Sequence, residues 1–177
     1  MKIEKRSESM DKPLKIYLGD LTYNTVTLAT EAFPLNVGYI ASYCKKLFGS
    51  NVNITLFKYI GEIEKAVIDN PPDILGLSNY CWSHNVSYEI FKLCKEKNPN
   101  AVTVWGGPNF PLDSPSQIKF MKRYPSVDVY IPTEGEIGFA NTVQLVSNSD
   151  SKENIFELLK ENPVDGCITR KENGEIQ

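Results

Sequence analysis

The sequence predicts an α/β fold built on a doubly wound, five-stranded parallel sheet. Three observations carry this. Five short apolar runs alternate with helical patterns along the chain. One of those runs, Asp73–Ser78, is apolar without alternation, as expected for a strand covered on both faces. The connections are long enough for right-handed crossovers between parallel strands.

Lys15–Gly19 reads as the first buried strand. Leu35–Phe48 reads as a helix, because Leu35, Tyr39, Tyr43 and Leu47 recur at helical spacing and Gly49 supplies a stop. Val52–Phe57 alternates and is rich in β-branched residues, so it is the second strand. Glu62–Asp69 is a short helix ended by Asn70-Pro71-Pro72, and Asp73–Ser78 is the third strand. Val86–Lys97 is a helix, with Ser83 or Asn85 as its cap, and Ala101–Trp105 is the fourth strand. Ser114–Arg123 carries Pro115 in its first turn. Val127–Ile131 is the fifth strand and Glu136–Val146 the helix after it.

The ends differ from this pattern. Residues 1–13 are charged and read as a solvated arm, with no apolar core for a secretory signal. Residues 14–148 form the main domain. Residues 149–177 read as an appended helix, Asp150–Glu161, and a hairpin in which Gly166–Lys171 and Glu175–Gln177 flank Asn173-Gly174, a two-residue turn signal. A chain that stops as the second hairpin strand begins is expected to be a fragment, with the appendage leading to a missing downstream domain.

Composition narrows the function classes. The 177 residues carry a net charge of −3, which gives no electrostatic footprint for nucleic acid. No apolar run approaches the ~20 residues of a membrane span. The expectation is therefore no nucleic-acid and no membrane partner, and a cytoplasmic location, since nothing suggests export of the four cysteines. Those cysteines, Cys44, Cys81, Cys94 and Cys167, form no CxxC or CxxxCxxC, so a self-contained zinc or iron–sulfur site is not expected. With one histidine, His84, a multi-histidine metal site is excluded. No catalytic residue stands out.

In a doubly wound sheet, ligands bind beyond the carboxyl ends of the strands. The loops there hold the candidate residues. Asp20–Pro34 is long for a connection of its kind and includes Leu21, Thr22 and Tyr23. Ser78-Asn79-Tyr80-Cys81-Trp82-Ser83-His84-Asn85 offers Tyr80 and Trp82 as stacking faces. Gly106-Gly107-Pro108-Asn109 lets backbone approach a ligand. Thr133-Glu134-Gly135-Glu136 opens the last sheet helix. Receiver-type phosphoacceptor chemistry is unsupported, because Ser78 and Ile131 stand at the strand ends that need Asp and Lys. There is no GxGxxG for a dinucleotide. A flavodoxin-like flavin mononucleotide module is the rival reading, from the hydroxyl spacing Thr25-Val26-Thr27-Leu28-Ala29-Thr30, although Leu28 stands where a glycine is wanted.

Read in order, these segments resemble the N-terminal cobalamin-binding domain of cobalamin-dependent radical SAM enzymes, a flavodoxin-like, Rossmann-like fold. The resemblance covers Lys15 to Val146. It rests on Pro34-Leu35-x-x-Gly38-Tyr39-Ile40-Ala41, the apolar strand ending at Ser78, Trp105-Gly106-Gly107-Pro108-Asn109, Tyr124-Pro125-x-Val127-Asp128, and Glu134-Gly135-Glu136. Of the three signatures carried by cobalamin-binding domains more widely, Asp20-Leu21-Thr22-Tyr23-Asn24-Thr25 stands at D-x-H-x-x-G, Ser78-Asn79-Tyr80 at S-x-L, and Gly106-Gly107 at G-G. Thr22 replaces the histidine that ligates cobalt from below, which favours the radical SAM branch.

The resemblance implies that Ser78, Gly106 and Gly107 accommodate the nucleotide tail in the crevice between the first and third strands. Tyr80, Trp82, Leu21 and Tyr23 would lie under the corrin, with Thr22 and Asn79 in the same loops. Pro108, Asn109, Glu134 and Gly135 would contact its amide rim. It implies base-off cobalamin without a histidine ligand, and a parent enzyme that transfers methyl groups. Cyclisation, or another non-methylating radical reaction, comes next. The iron–sulfur cluster and S-adenosylmethionine belong to a downstream barrel, the expected partner. A stand-alone corrinoid carrier is the non-enzymatic alternative.

Overall fold

The computed structural model describes residues 12–23, 34–149 and 155–177. The expected Thr25–Thr30 hydroxyl run, Asn24, and residues 1–11 of the expected arm lie outside the described residues.

The first strand, β1 (Leu14–Thr22), pairs in parallel with β2 (Val52–Tyr59) on one side and β3 (Ile74–Ser78) on the other. β3 then pairs with β4 (Val102–Gly106), and β4 with β5 (Val129–Ile131), all parallel. The sheet order is β2-β1-β3-β4-β5-β6, so the winding direction reverses between β1 and β3. β6 (Ile168–Thr169) is antiparallel to β5.

That sixth strand corrects the five-stranded expectation. The hairpin is not an appendage beside the sheet, because its first strand covers the edge that β5 would otherwise expose. Its turn also differs from the two-residue loop expected. The Lys171 N–H donates to Glu175 and the Gly174 N–H to Lys171, so Glu172-Asn173-Gly174 forms the loop, with Gly174 at φ +79°. The Arg170 guanidinium donates to the carbonyls of Met121 and Pro125, and Gln177 to those of Leu159 and Lys160.

Helices cover both faces. α1 (Leu35–Phe48) and α5 (Gly135–Asn148) pack on one face with α6 (Ile155–Glu161), around Leu18, Val37, Cys44, Val104 and Phe139. α2 (Ile60–Asp69), α3 (His84–Lys97) and α4 (Ser114–Arg123) cover the other, around Leu77, Phe91, Trp105, Met121 and Tyr130. Successive strand residues point to opposite faces. Cross-strand register therefore assigns Leu18, Gly76 and Val104 to the α1/α5 face, and Gly19, Leu77, Trp105 and Tyr130 to the other.

Boundaries shift from the sequence reading for physical reasons. β1 runs past Gly19 to Thr22 through an irregularity that still lets Thr22 pair with Tyr59. α3 begins two residues early, at His84, with Ser83 at its N-cap; the Ser83 hydroxyl turns to the Ser78 carbonyl at 3.5 Å instead of capping. β5 starts only at Val129, because Asp128 is drawn into a polar cluster. Asp128 Oδ2 accepts from Lys95 Nζ at 2.6 Å and from the Thr103 N–H and hydroxyl at 2.8 Å each. Both side chains of that ion pair are largely buried. Asp128→Ala would leave Lys95 and Thr103 short of an acceptor and lower stability by about 2–3 kcal/mol. Urea denaturation should show a reduced midpoint with an unchanged slope.

Candidate functional site

A cleft of about 430 Å³ opens at the carboxyl ends of β3, β4 and β5, between the first turns of α1 and α5. Its inner wall is the apolar row Leu18, Gly76 and Val104, closed by Phe139. The next row outward on the same face is Ser78, Gly106 and Ile131, aligned in register across three strands. α1 contributes Asn36, Val37 and Ile40, and the β5–α5 loop contributes Thr133, Glu134 and Gly135. The volume lies within the ~300–1,000 Å³ of small-molecule sites, and an apolar lining with few polar groups is their usual character.

Among the expected residues, the structure gathers Ser78, Tyr80, Gly106, Gly107, Pro108, Glu134 and Gly135 into the cleft lining. Leu21 is 1% exposed and packs in the opposite core. Thr22 ends β1 and Tyr23 is exposed beyond it; neither lines the cleft. Trp82 is exposed and stacks on Tyr80 at 4.5 Å with planes 6° apart, so the two rings cover one face of each other.

Asn79 and Asn109 have a different placement. Strand parity turns Asn79 away from the cleft, and it is fully buried. Its Nδ2 donates to the Asn109 carbonyl at 2.8 Å and to the Tyr130 hydroxyl at 3.0 Å. Tyr130 passes its own proton to the Gly107 carbonyl at 2.9 Å. Asn109 Nδ2 donates to Asn79 Oδ1. Main-chain bonds run alongside, from the Asn79 N–H to Gly106 O at 2.6 Å and from the Asn109 N–H to Asn79 O at 3.3 Å. The two asparagines thus bind the β3–α3 and β4–α4 loops to each other.

The glycines divide the work. Gly107 has φ +122°, and a Cβ there would sit 3.1 Å from the Asn79 carbonyl oxygen, so the loop lock requires glycine. At Gly106, φ is ordinary for L residues and a Cβ would meet nothing closer than Ile131 O at 3.5 Å. The backbone tolerates a side chain there; what it would fill is the cleft.

His84 is neither a cap nor a surface residue. Its ring stacks on Trp105 at 4.5 Å. Nδ1 lies 2.9 Å from Asn79 Oδ1 and 3.2 Å from Asn109 Nδ2, and Nε2 lies 2.8 Å from the Tyr124 hydroxyl. Burial first, and Arg123 nearby second, lower its pKa. Both ring nitrogens are committed inside the protein.

Sequence reasoning missed Asn36. Its Nδ2 donates to Ser78 Oγ at 2.9 Å, and its Oδ1 accepts from the Val37 N–H at 2.8 Å. Burial raises the pKa of Asp20, at the end of β1, and a hydrogen bond with Asn36 lowers it in part. Parity from Ser78 could have found Gly76; nothing in the sequence marks Asn36.

The family model described as "B12 binding domain" matches residues 22–143. The chain is 33% identical over 115 residues to the 2-(S-pantetheinyl)-carbapenam-3-carboxylate methyltransferase of Streptantibioticus cattleyicolor, covering 63% of this chain and 16% of that protein. It is 31% identical over 112 residues to the cobalamin-dependent radical SAM methyltransferase TokK of Streptomyces tokunonensis, covering 60% and 16%. The chain therefore spans a small part of these relatives' length. Among solved structures it resembles the cobalamin-dependent S-adenosylmethionine radical enzyme OxsB with aqua-cobalamin and S-adenosylmethionine bound. The TM-score is 0.59 at 25% identity, over 93% of this chain and 22% of that one.

The His84 network has a pH signature. A histidine whose folded pKa is depressed contributes stability above its unfolded value of about 6.5, and loses it as pH falls toward the folded value. Unfolding free energy should decline with acidification below that point. In His84→Gln this component should vanish, as read by denaturation at a series of pH values.

Proposed function

The chain belongs to the B12-binding domain family, and from that premise we propose that the cleft takes the nucleotide tail of cobalamin while the loops above it carry the corrin. The observation that carries this is the in-register row Ser78–Gly106–Ile131 just above the apolar inner wall of the cleft, beside the reversal of the sheet. Ser78 offers a buried hydroxyl, and Gly106 leaves open the path that a side chain would block. The donor set fits a flat, partly apolar tail. The stacked pair Tyr80–Trp82, together with Thr22 and Tyr23, stands on the β1 and β3 side for the corrin, and Pro108, Glu134 and Gly135 on the β4 and β5 side for its amides.

Bound cobalamin supplies a cobalt centre able to carry a methyl group. The chain's own residues orient it: Ser78 holds the tail, and the Asn79–Asn109 lock keeps Gly106 and Gly107 in place. No imidazole is on hand to ligate cobalt from below. Thr22 stands at the end of β1, and His84 spends both ring nitrogens on Asn79 and Tyr124. The reading is therefore base-off binding without a protein nitrogen. Its relatives' names support a place in a cobalamin-dependent radical SAM methyltransferase, whose cluster chemistry this chain's cysteines do not supply.

Equilibrium dialysis should find near one-to-one binding of hydroxocobalamin and no retention of flavin mononucleotide; flavin alone binding would reverse the assignment. Gly106→Val should keep its circular dichroism spectrum and lose the corrinoid, and unimpaired binding by that folded variant would remove the cleft from the reading.

The Co(II) form bound to the protein should show an electron paramagnetic resonance spectrum without nitrogen superhyperfine splitting. Splitting that disappears in His84→Ala would mean that the histidine leaves its network to bind cobalt.

A further inference from the structure

Gly76 is out of pattern for its place. β3 is buried on both faces, where large apolar side chains are the ordinary occupants. Its backbone does not call for glycine, because φ at Gly76 is not positive. What calls for it is a ring. A Cβ at Gly76 would lie 2.8 Å from Phe139 Cε2 and 2.7 Å from Leu18 Cδ2. Phe139, 2% exposed, therefore crosses the inner end of the cleft and lies over bare backbone of β3. The helix that carries it is tied down on either side of it. Gly138 packs on Gly166 so closely that a Cβ there would sit 2.8 Å from the Gly166 carbonyl oxygen. Asn141 Nδ2 donates to the Asp165 carbonyl at 3.0 Å. The ring has the strand on one side and a fixed helix on the other, so it has nowhere to withdraw.

We infer that Phe139, seated on Gly76, is the stop that sets how deep a corrinoid's lower-ligand base can enter, and so selects corrinoids by the length of that base. This rests on the cobalamin reading above and adds to it the size class of the base. The cleft opens between α1 and α5, and its inner end is closed by Leu18, Val104 and Phe139. The inward direction is therefore the one in which the protein limits its ligand. A bicyclic benzimidazole that ends at this wall fills the cleft. A tricyclic base, longer by one fused ring, meets the Phe139 ring before its ribose and phosphate reach their places. A packed wall admits an added ring only by displacing side chains, which corresponds to about tenfold weaker binding.

The test is equilibrium dialysis of the 177-residue chain against three probes. They are hydroxocobalamin, the corresponding corrinoid with a naphthimidazole base, and cobinamide, which has no base. The parent should bind hydroxocobalamin about tenfold more tightly than the naphthimidazole form. In Phe139→Ala, which lengthens the cleft, the ratio should fall to about one. Phe139→Leu shortens the wall less, should lower the ratio in part, and serves if the alanine variant does not fold by circular dichroism. Val143→Ala is the control for general loosening. Val143 is fully buried on the same helix and in the same core but does not line the cleft, so its truncation should keep the parent's ratio. Equal binding of both base-bearing corrinoids by the parent overturns the stop and leaves the cobalamin reading standing. Cobinamide bound as tightly as hydroxocobalamin overturns the stop and removes the base from the cleft. Binding of none of the three overturns both readings. A ratio that survives in a folded Phe139 variant, or that falls as far in Val143→Ala, removes Phe139 from the role.

Discussion

The cleft depends on one buried amide. Asn79 has no exposed surface, and its side chain and main chain are all engaged. Burying an amide without partners costs a few kcal/mol, so a half-satisfied Asn79 would pull the strand ends apart. Fully satisfied, it fixes where β3 stops, where the Gly106–Asn109 loop turns, and which way the His84 ring faces. The Gly107 backbone conformation follows from this, since the Asn79 carbonyl occupies the space of a Cβ. The lining of the cleft is thus set by a network on the far side of the sheet.

The two faces of the sheet are built from different stock. The α2–α4 face is filled by large rings: Trp105, Tyr130, Phe91, Phe110, Phe120 and Tyr124 interlock at centroid distances from 3.9 to 6.4 Å. The α1/α5 face presents Leu18, Gly76 and Val104 in one row, and Gly76 admits Phe139, whose ring would lie 2.8 Å from a Cβ there. Past Phe139 the next row is Ser78 and Gly106, with little side chain to fill the space between the helices. The cleft exists because small residues continue in register where large ones would be needed to close it.

Much of this was legible in the sequence. Element order and sheet class follow from the alternation of apolar runs with helical patterns, and Gly106-Gly107 announced the one loop whose backbone had to approach something. What stayed hidden is tertiary. Ile74–Ser78 is buried on both faces, so its apolar run carries no alternation to say which residues share the cleft. The role of His84 stayed hidden because its second partner, Tyr124, lies forty residues away. Asn36 looked like one more polar residue in a helix, since only the crossing of α1 over β3 brings it to Ser78. The hairpin strand within Gly166–Lys171 was legible, but its joining the sheet was not, because the two residues that pair with β5, Ile168–Thr169, are too few to show a period.

Ser78 and Asn79 show how finely the division is drawn. They are adjacent, both polar and both buried, yet one lines the cleft and the other locks the loops. The pleat alone decides this, because neighbouring side chains leave a strand on opposite faces. A register slip of one residue would place an amide with four hydrogen bonds into an apolar cleft and a lone hydroxyl among the aromatic rings. Neither could be satisfied there. The aromatic packing of Trp105 and Tyr130 against β3 therefore guards the chemistry of the opposite face, by holding Leu77 and Asn79 on its own side. Core and site in this domain are not separate regions; they are the odd and even residues of the same strands.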